Sequence, residues 1–131
     1  MTPAPREEFL APQRLQFFIT DRAAFAPEDY APEILAAIAQ GDVASITIET
    51  HTDGIGERAE NQALSQRWAD AMRDWLIAQG VPPDRILSAA GYGEDRPLEI
   101  VEEGEPSPVS QRIEIAIVYA EDVYRDFDGE E

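Results

Sequence analysis

The stretch best suited to chemistry is His51-Thr52-Asp53-Gly54-Ile55-Gly56, followed by Asn61-Gln62-Ala63-Leu64-Ser65-Gln66-Arg67. Its apolar lead-in predicts a strand ending near Thr50 or His51, a glycine-containing loop, and a helix starting near Asn61. Asp53 is thereby placed in a loop at a helix N-terminus, with Arg67 less than two turns inside that helix. A carboxylate and a guanidinium held close together and facing solvent can grip a zwitterion. The arginine takes a carboxylate bidentately while the aspartate accepts from an ammonium, and free backbone N–H groups at the helix start add donors for an anion. From the pair alone, a structural ion pair tying loop to helix is an equal reading. If both groups face solvent, truncating either should leave the fold intact.

Other chemistries are poorly supplied. All 10 basic residues are arginine, so Schiff-base and phosphate-loop lysines are absent, and with no cysteine there are no disulfides, thiolate metal sites or thiol nucleophiles. A single histidine, His51, cannot build a multi-histidine metal centre, and it reads as a structural strand-end residue. No calcium-loop spacing occurs among the carboxylates, and Gly91-Tyr92-Gly93 reads as a turn with no dinucleotide-binding helix after it. No cofactor is expected. With 27 acidic against 10 basic residues, the net charge is −17 and the isoelectric point lies near 4.2. That field repels nucleic acid and anionic lipid.

The elements that must position Asp53 follow from periodicity. At 131 residues, 44% of them hydrophobic, the chain suits one domain with a modest core. Residues 13–19 read as a first strand. Ala26-Pro27-Glu28-Asp29 opens a helix in which Tyr30, Ile34 and Ile38 recur every fourth residue, with Gly41 as a left-handed stop. Residues 44–50 form a second strand with Ile46 and Ile48 on one face. A long helix runs from about Glu60 to Gln79, its apolar stripe made of Leu64, Trp68, Met72, Trp75 and Leu76, and Gly80 ends it. Trp68 and Trp75 are read as core. Asp84 to Gly91 is a third strand, and a Gly- and Pro-rich excursion leads to a fourth over 112–119, where Ile113, Ile115, Ile117 and Tyr119 alternate with polar or small residues. The order β-α-β-α-β-β implies an α+β fold, a two-layer α/β sandwich with a mixed four-stranded sheet and helices on one face. Residues 1–12 read as a flexible N-terminal segment, 13–120 as the domain, and 121–131 as an acidic tail. No run is apolar enough for a membrane span, and the N-terminus lacks the parts of a signal peptide. The chain is therefore read either as one that stays inside the cell or as a piece of a longer exported protein.

His-Thr-Asp, then Asn61, Leu64-Ser65 and Arg67, resembles the OmpA C-terminal-like peptidoglycan-binding domain of the OmpA/Pal/MotB type. The likeness continues through Gly80-Val81, Arg85-Ile86, Gly91-Tyr92-Gly93-Glu94 with Pro97, and Arg112-Ile113-Glu114-Ile115, spanning roughly Leu15 to Tyr119. It implies that Asp53 pairs with the ammonium, and Arg67 with the carboxylate, of the diaminopimelate residue in a peptidoglycan stem peptide. Asn61 and Thr52 would line the same pocket, with Leu64 shaping its wall. It also implies anchoring of an envelope protein to the cell wall from the periplasm, as a domain of a larger protein, with no membrane insertion by this domain and no catalysis. Departures are Thr50 for the usual Gly, Ser110-Gln111-Arg112 for Asn-Arg-Arg, and Trp68 for a common Arg. The pocket surroundings are thereby less cationic, and affinity is expected to be weaker. Two other readings stand beside wall binding: an interaction domain of the same fold that docks an envelope protein partner, and a wall hydrolase, for which no catalytic pattern is recognisable.

Overall fold

A computed structural model describes residues 11–120; the expected acidic tail and all but the last two residues of the expected N-terminal segment lie outside these. Four strands, β1 (Gln13–Phe18), β2 (Val43–His51), β3 (Ile86–Gly91) and β4 (Arg112–Tyr119), form one sheet in the order β1-β4-β2-β3. β4 runs antiparallel to both its neighbours, whereas β2 and β3 are parallel. The parallel pair requires a crossover, and the long helix α2 (Arg58–Ala78) supplies it. The shorter helix α1 (Ala31–Ile38) connects β1 to β2. This is the mixed-sheet α+β architecture expected.

Alternation along the central strands builds the core. Ile46 and Ile48 of β2 lie opposite Ile117 and Ile115 of β4, and Leu15 and Phe17 of β1 lie opposite Ile115 and Ile113. Ile34 and Ala37 of α1 join Trp68, Ala69, Met72 and Leu76 of α2 against that surface. Each buried isoleucine contributes about 1.5–3 kcal/mol relative to exposure. Trp68 is buried, with its ring centroid 5.8 Å from that of Phe25, and Trp75 packs against the core from its rim.

The departures from expectation are local and trace to proline and glycine. Residues Pro27–Tyr30 form a 3-10 turn rather than the first turn of α1. Pro32 sits in the first turn of α1, where its missing N–H costs little; one turn later it would break the helix. Pro83–Arg85 likewise forms a 3-10 turn, so β3 starts at Ile86 rather than Asp84. Gly41 is not left-handed, for α1 has already ended at Ile38; Gly80, at φ +107°, does terminate α2 as expected.

The end of β3 is bolted to α2 through the polar residues of the Asn61–Gln66 stretch. Gln62 Nε2 donates to the Gly91 carbonyl at 2.6 Å, and Gln66 Oε1 accepts from the Gly91 N–H at 3.0 Å. Ser65 Oγ accepts from the Gly93 N–H at 2.8 Å, while Thr50 Oγ1 donates to the Ser65 carbonyl at 2.5 Å. These bonds fix the helix start against the C-terminal ends of β2 and β3, where the loop carrying Asp53 emerges.

Candidate functional site

β2 delivers the chain to a loop whose backbone is tied down on three sides. The Thr52 N–H donates to the Gly93 carbonyl at 2.8 Å, and Thr52 Oγ1 donates to the Asp53 carbonyl at 2.8 Å. Asp53 is only 8% exposed. Its Oδ1 accepts from the Ile55 N–H at 3.2 Å, an aspartate-type turn, and its Oδ2 accepts from the Ser107 N–H at 3.3 Å. Beneath the loop, Asn61 is fully buried at the start of α2. Its Nδ2 faces the carbonyls of Asp53 (3.3 Å) and Ile55 (3.0 Å) and Oε1 of Glu94 (2.8 Å). A buried amide with these partners holds the loop rather than facing a ligand directly.

The cation at Asp53 is Arg22, from the segment between β1 and the 3-10 turn. Its Nη1 lies 3.4 Å from Asp53 Oδ1 and donates to the Ile55 carbonyl at 3.0 Å, while its Nη2 donates to Asn61 Oδ1. Arg67 is exposed on α2, and no hydrogen bond or ion pair joins it to any of the described residues. Helical phase accounts for this. At about 100° per residue, Arg67 falls well round the helix from Asn61, Ser65, Trp68 and Met72, the stripe that packs inward. The structure thus brings Thr52, Asp53 and Asn61 together but sets Arg67 apart from them. Leu64 is half-buried and packs on the core. The expectation that Asp53 faces solvent is corrected: it is a buried carboxylate that also holds the loop.

A cavity of about 250 Å³ opens beside the loop, with Thr52, Asp53 and Gly54 on one side and Glu99, Ser107 and Ser110 on the other. Glu94, Glu102, Glu103 and Glu105 also contribute to it, so its lining is strongly acidic. Ser107 and Ser110, whose hydroxyls lie 2.8 Å apart, pin the excursion between β3 and β4, and Ser107 Oγ also lies 2.5 Å from Glu99 Oε2. Gln111 Nε2 donates to the Ile19 carbonyl at 2.7 Å, holding the base of the segment that carries Arg22. Arg22 and Ser107 had no local sequence signal as site residues, because their contacts with the loop span long chain separations; Ser110 was marked only by its departure from the family's Asn-Arg-Arg.

On the opposite face of the sheet, His51 is 1% exposed and stacks on Tyr92 at 5.4 Å, with Arg96 lying 3.7 Å over the Tyr92 ring. Burial, aided by the neighbouring Arg112 charge, pushes its pKa down to about 4. It is therefore neutral near pH 7, and its 3.6 Å approach to Glu49 is not an ion pair there. Burial alone would raise the Glu114 carboxyl, but hydrogen bonds from Arg112 and Gln16 outweigh it and hold the group below its ordinary value. Glu49, His51 and Glu114 place donor atoms within 4.8 Å of one another. However, Arg112 Nε already binds Glu114 at 2.6 Å and Arg96 lies 3.8 Å from Glu49, so two guanidinium charges oppose a cation there.

No helix among the described residues is long and apolar enough to cross a membrane. Outer membrane porin F of Pseudomonas fluorescens is 35% identical over 102 residues, covering 76% of this chain and 31% of that protein. The peptidoglycan-associated lipoprotein of Brucella melitensis biotype 1 is 48% identical over 56 residues, covering 43% of this chain and 33% of that protein. The chain thus spans about a third of the length of these curated relatives. Among solved structures, the cell wall anchor of the T6SS from Pseudomonas aeruginosa superposes with a TM-score of 0.65 at 18% identity, covering 83% of this chain and 82% of that one, a likeness of fold. The model of the OmpA family matches residues 17–108, the stretch holding β2, α2, β3 and the Asp53 loop, and the chain belongs to that family.

Proposed function

We propose that this chain binds peptidoglycan non-covalently through the diaminopimelate residue of a stem peptide, anchoring a larger envelope protein to the wall from the periplasm. The observation that carries the reading is the Asp53 carboxylate, held by two backbone N–H groups at the edge of an acidic cavity. Such a site favours an ammonium. The family, and relatives named for peptidoglycan association, supply the wall as the source of that ammonium. In this reading Asp53 takes the ammonium, with Thr52, Asn61 and Leu64 shaping the pocket; the resemblance gives the carboxylate to Arg67, which stands apart from the loop on the exposed side of α2. The reaction class is binding without turnover, so incubation with sacculi should release no muropeptides. Titration with free meso-diaminopimelate should produce saturable amide shift changes over residues 52–55 that are lost in Asp53→Asn. No change in that loop at saturating ligand would overturn the reading.

A second reading, docking of an envelope protein partner, draws on the same rim. Ile100 is 99% exposed, and Leu98 and Val101 stand beside it on the loop that lines the cavity. Exposed apolar side chains clustered beside a cleft mark interaction surfaces.

A further inference from the structure

We infer that Arg22 is the residue of this site that takes the ligand's carboxylate. The inference rests on the reading that Asp53 receives the ammonium of a diaminopimelate end. The ammonium and carboxylate of an amino-acid end sit on one carbon, so a pair of charged side chains that grips both presents an anion and a cation side by side, and a guanidinium suits the carboxylate best because it can bind bidentately. Among the described residues, the only guanidinium in contact with Asp53 is that of Arg22, with Nη1 at 3.4 Å from Oδ1. This separation exceeds the roughly 2.7–2.9 Å of a tight charge-assisted bond, so neither group is fully used by the other.

The guanidinium is also preorganised. The Ile55 carbonyl and Asn61 Oδ1 hold its two terminal nitrogens, and Asn61 is itself fixed by Asp53, Ile55 and Glu94. Three acceptors engage a group that has five N–H donors, and the Arg22 side chain remains 31% exposed, leaving donors for an incoming carboxylate. The segment that presents it is pinned beyond Arg22 by Phe25, whose ring lies 5.8 Å from Trp68, and before it by the Ile19–Gln111 hydrogen bonds. Arg67 meets none of these conditions, standing exposed and without a bond to the loop.

The test compares two stem tripeptides by calorimetry on the full chain: L-Ala-γ-D-Glu-meso-diaminopimelate and its L-lysine counterpart. The second keeps the side-chain ammonium but lacks the neighbouring carboxylate. Wild type should prefer the diaminopimelate peptide by about 10- to 100-fold, the value of a charge-assisted pair. Arg22→Gln should bring that preference close to unity, and Arg67→Gln should leave it within about twofold. An Arg22 that merely shapes the loop would weaken both peptides together and keep their ratio. A preserved ratio in Arg22→Gln, or a ratio lost only in Arg67→Gln, overturns the assignment while wall binding stands. If wild type binds neither peptide, the functional reading itself fails, and this assignment with it.

Discussion

The backbone N–H of Ser107 donates to Oδ2 of Asp53 at 3.3 Å, joining two loops 54 residues apart in the chain. The carboxylate that faces the cavity therefore also fastens the β3–β4 excursion to the loop after β2. Binding and local stability meet in one side chain, contrary to the solvent-facing role its loop position suggests.

That coupling predicts the behaviour of Asp53→Ala. Removing the carboxylate strands the buried Ser107 N–H and the Ile55 N–H. Leaving such donors unsatisfied costs about 1–3 kcal/mol. Urea denaturation should show a loss in this range with a single cooperative transition. A change below about 0.5 kcal/mol, the scale of an ordinary surface substitution, would mean the carboxylate does not hold the loop.

Gly91 gives a prediction about the platform under the site. A Cβ there would lie 2.3 Å from the Gln66 backbone nitrogen and 2.4 Å from the Ser65 carbonyl carbon. Backbone atoms cannot rotate aside, so β3 and α2 must separate. Gly91→Ala should destabilise by about 3 kcal/mol, the upper end of overpacking costs, and increase hydrogen exchange at the amides of Gly91 and Gly93. Unchanged exchange at both would contradict the close packing of strand end and helix.

The buried imidazole predicts a pH dependence. His51 has a folded pKa of about 4 against an ordinary 6.5, so between these values the unfolded chain binds the proton and the folded chain does not. Stability attributable to His51 is complete above pH 6.5 and declines as pH falls toward 4, by on the order of 3 kcal/mol. Glu114, held below its ordinary 4.5, adds a loss in the same direction only below that pH. In His51→Phe, which preserves a ring to stack on Tyr92, stability between pH 6.5 and 4.5 should flatten. A decline equal to that of wild type would assign the effect elsewhere.

Much of this was legible in the residues. Ile113, Ile115 and Ile117 alternate as a half-buried strand must, and Trp68, Met72 and Leu76 recur at helical spacing, so the sheet and α2 could be placed from pattern alone. The loop at Asp53 was likewise visible from its glycines. Partner choice at the carboxylate was not. Counting positions from Asp53 to Arg67 measures distance along a helix axis but not rotation about it. Rotation turns Arg67 outward while Asn61 and Trp68 point in. Arg22 arrives from 31 residues upstream through the pairing of β1 with β4, a long-range contact that no local spacing encodes. The 3-10 turns at Pro27 and Pro83 show the same limit at element ends, where proline's missing N–H decides which hydrogen bonds can form.

The most direct measurement of the central claim is co-sedimentation of the chain with purified diaminopimelate-type sacculi, comparing wild type with Asp53→Asn. The substitution removes the charge that meets an ammonium while nearly preserving side-chain shape. Wild type should pellet with the sacculi in a saturable manner, and Asp53→Asn should remain in the supernatant. Equal pelleting of the two proteins, or wild type left entirely in solution, would contradict the account.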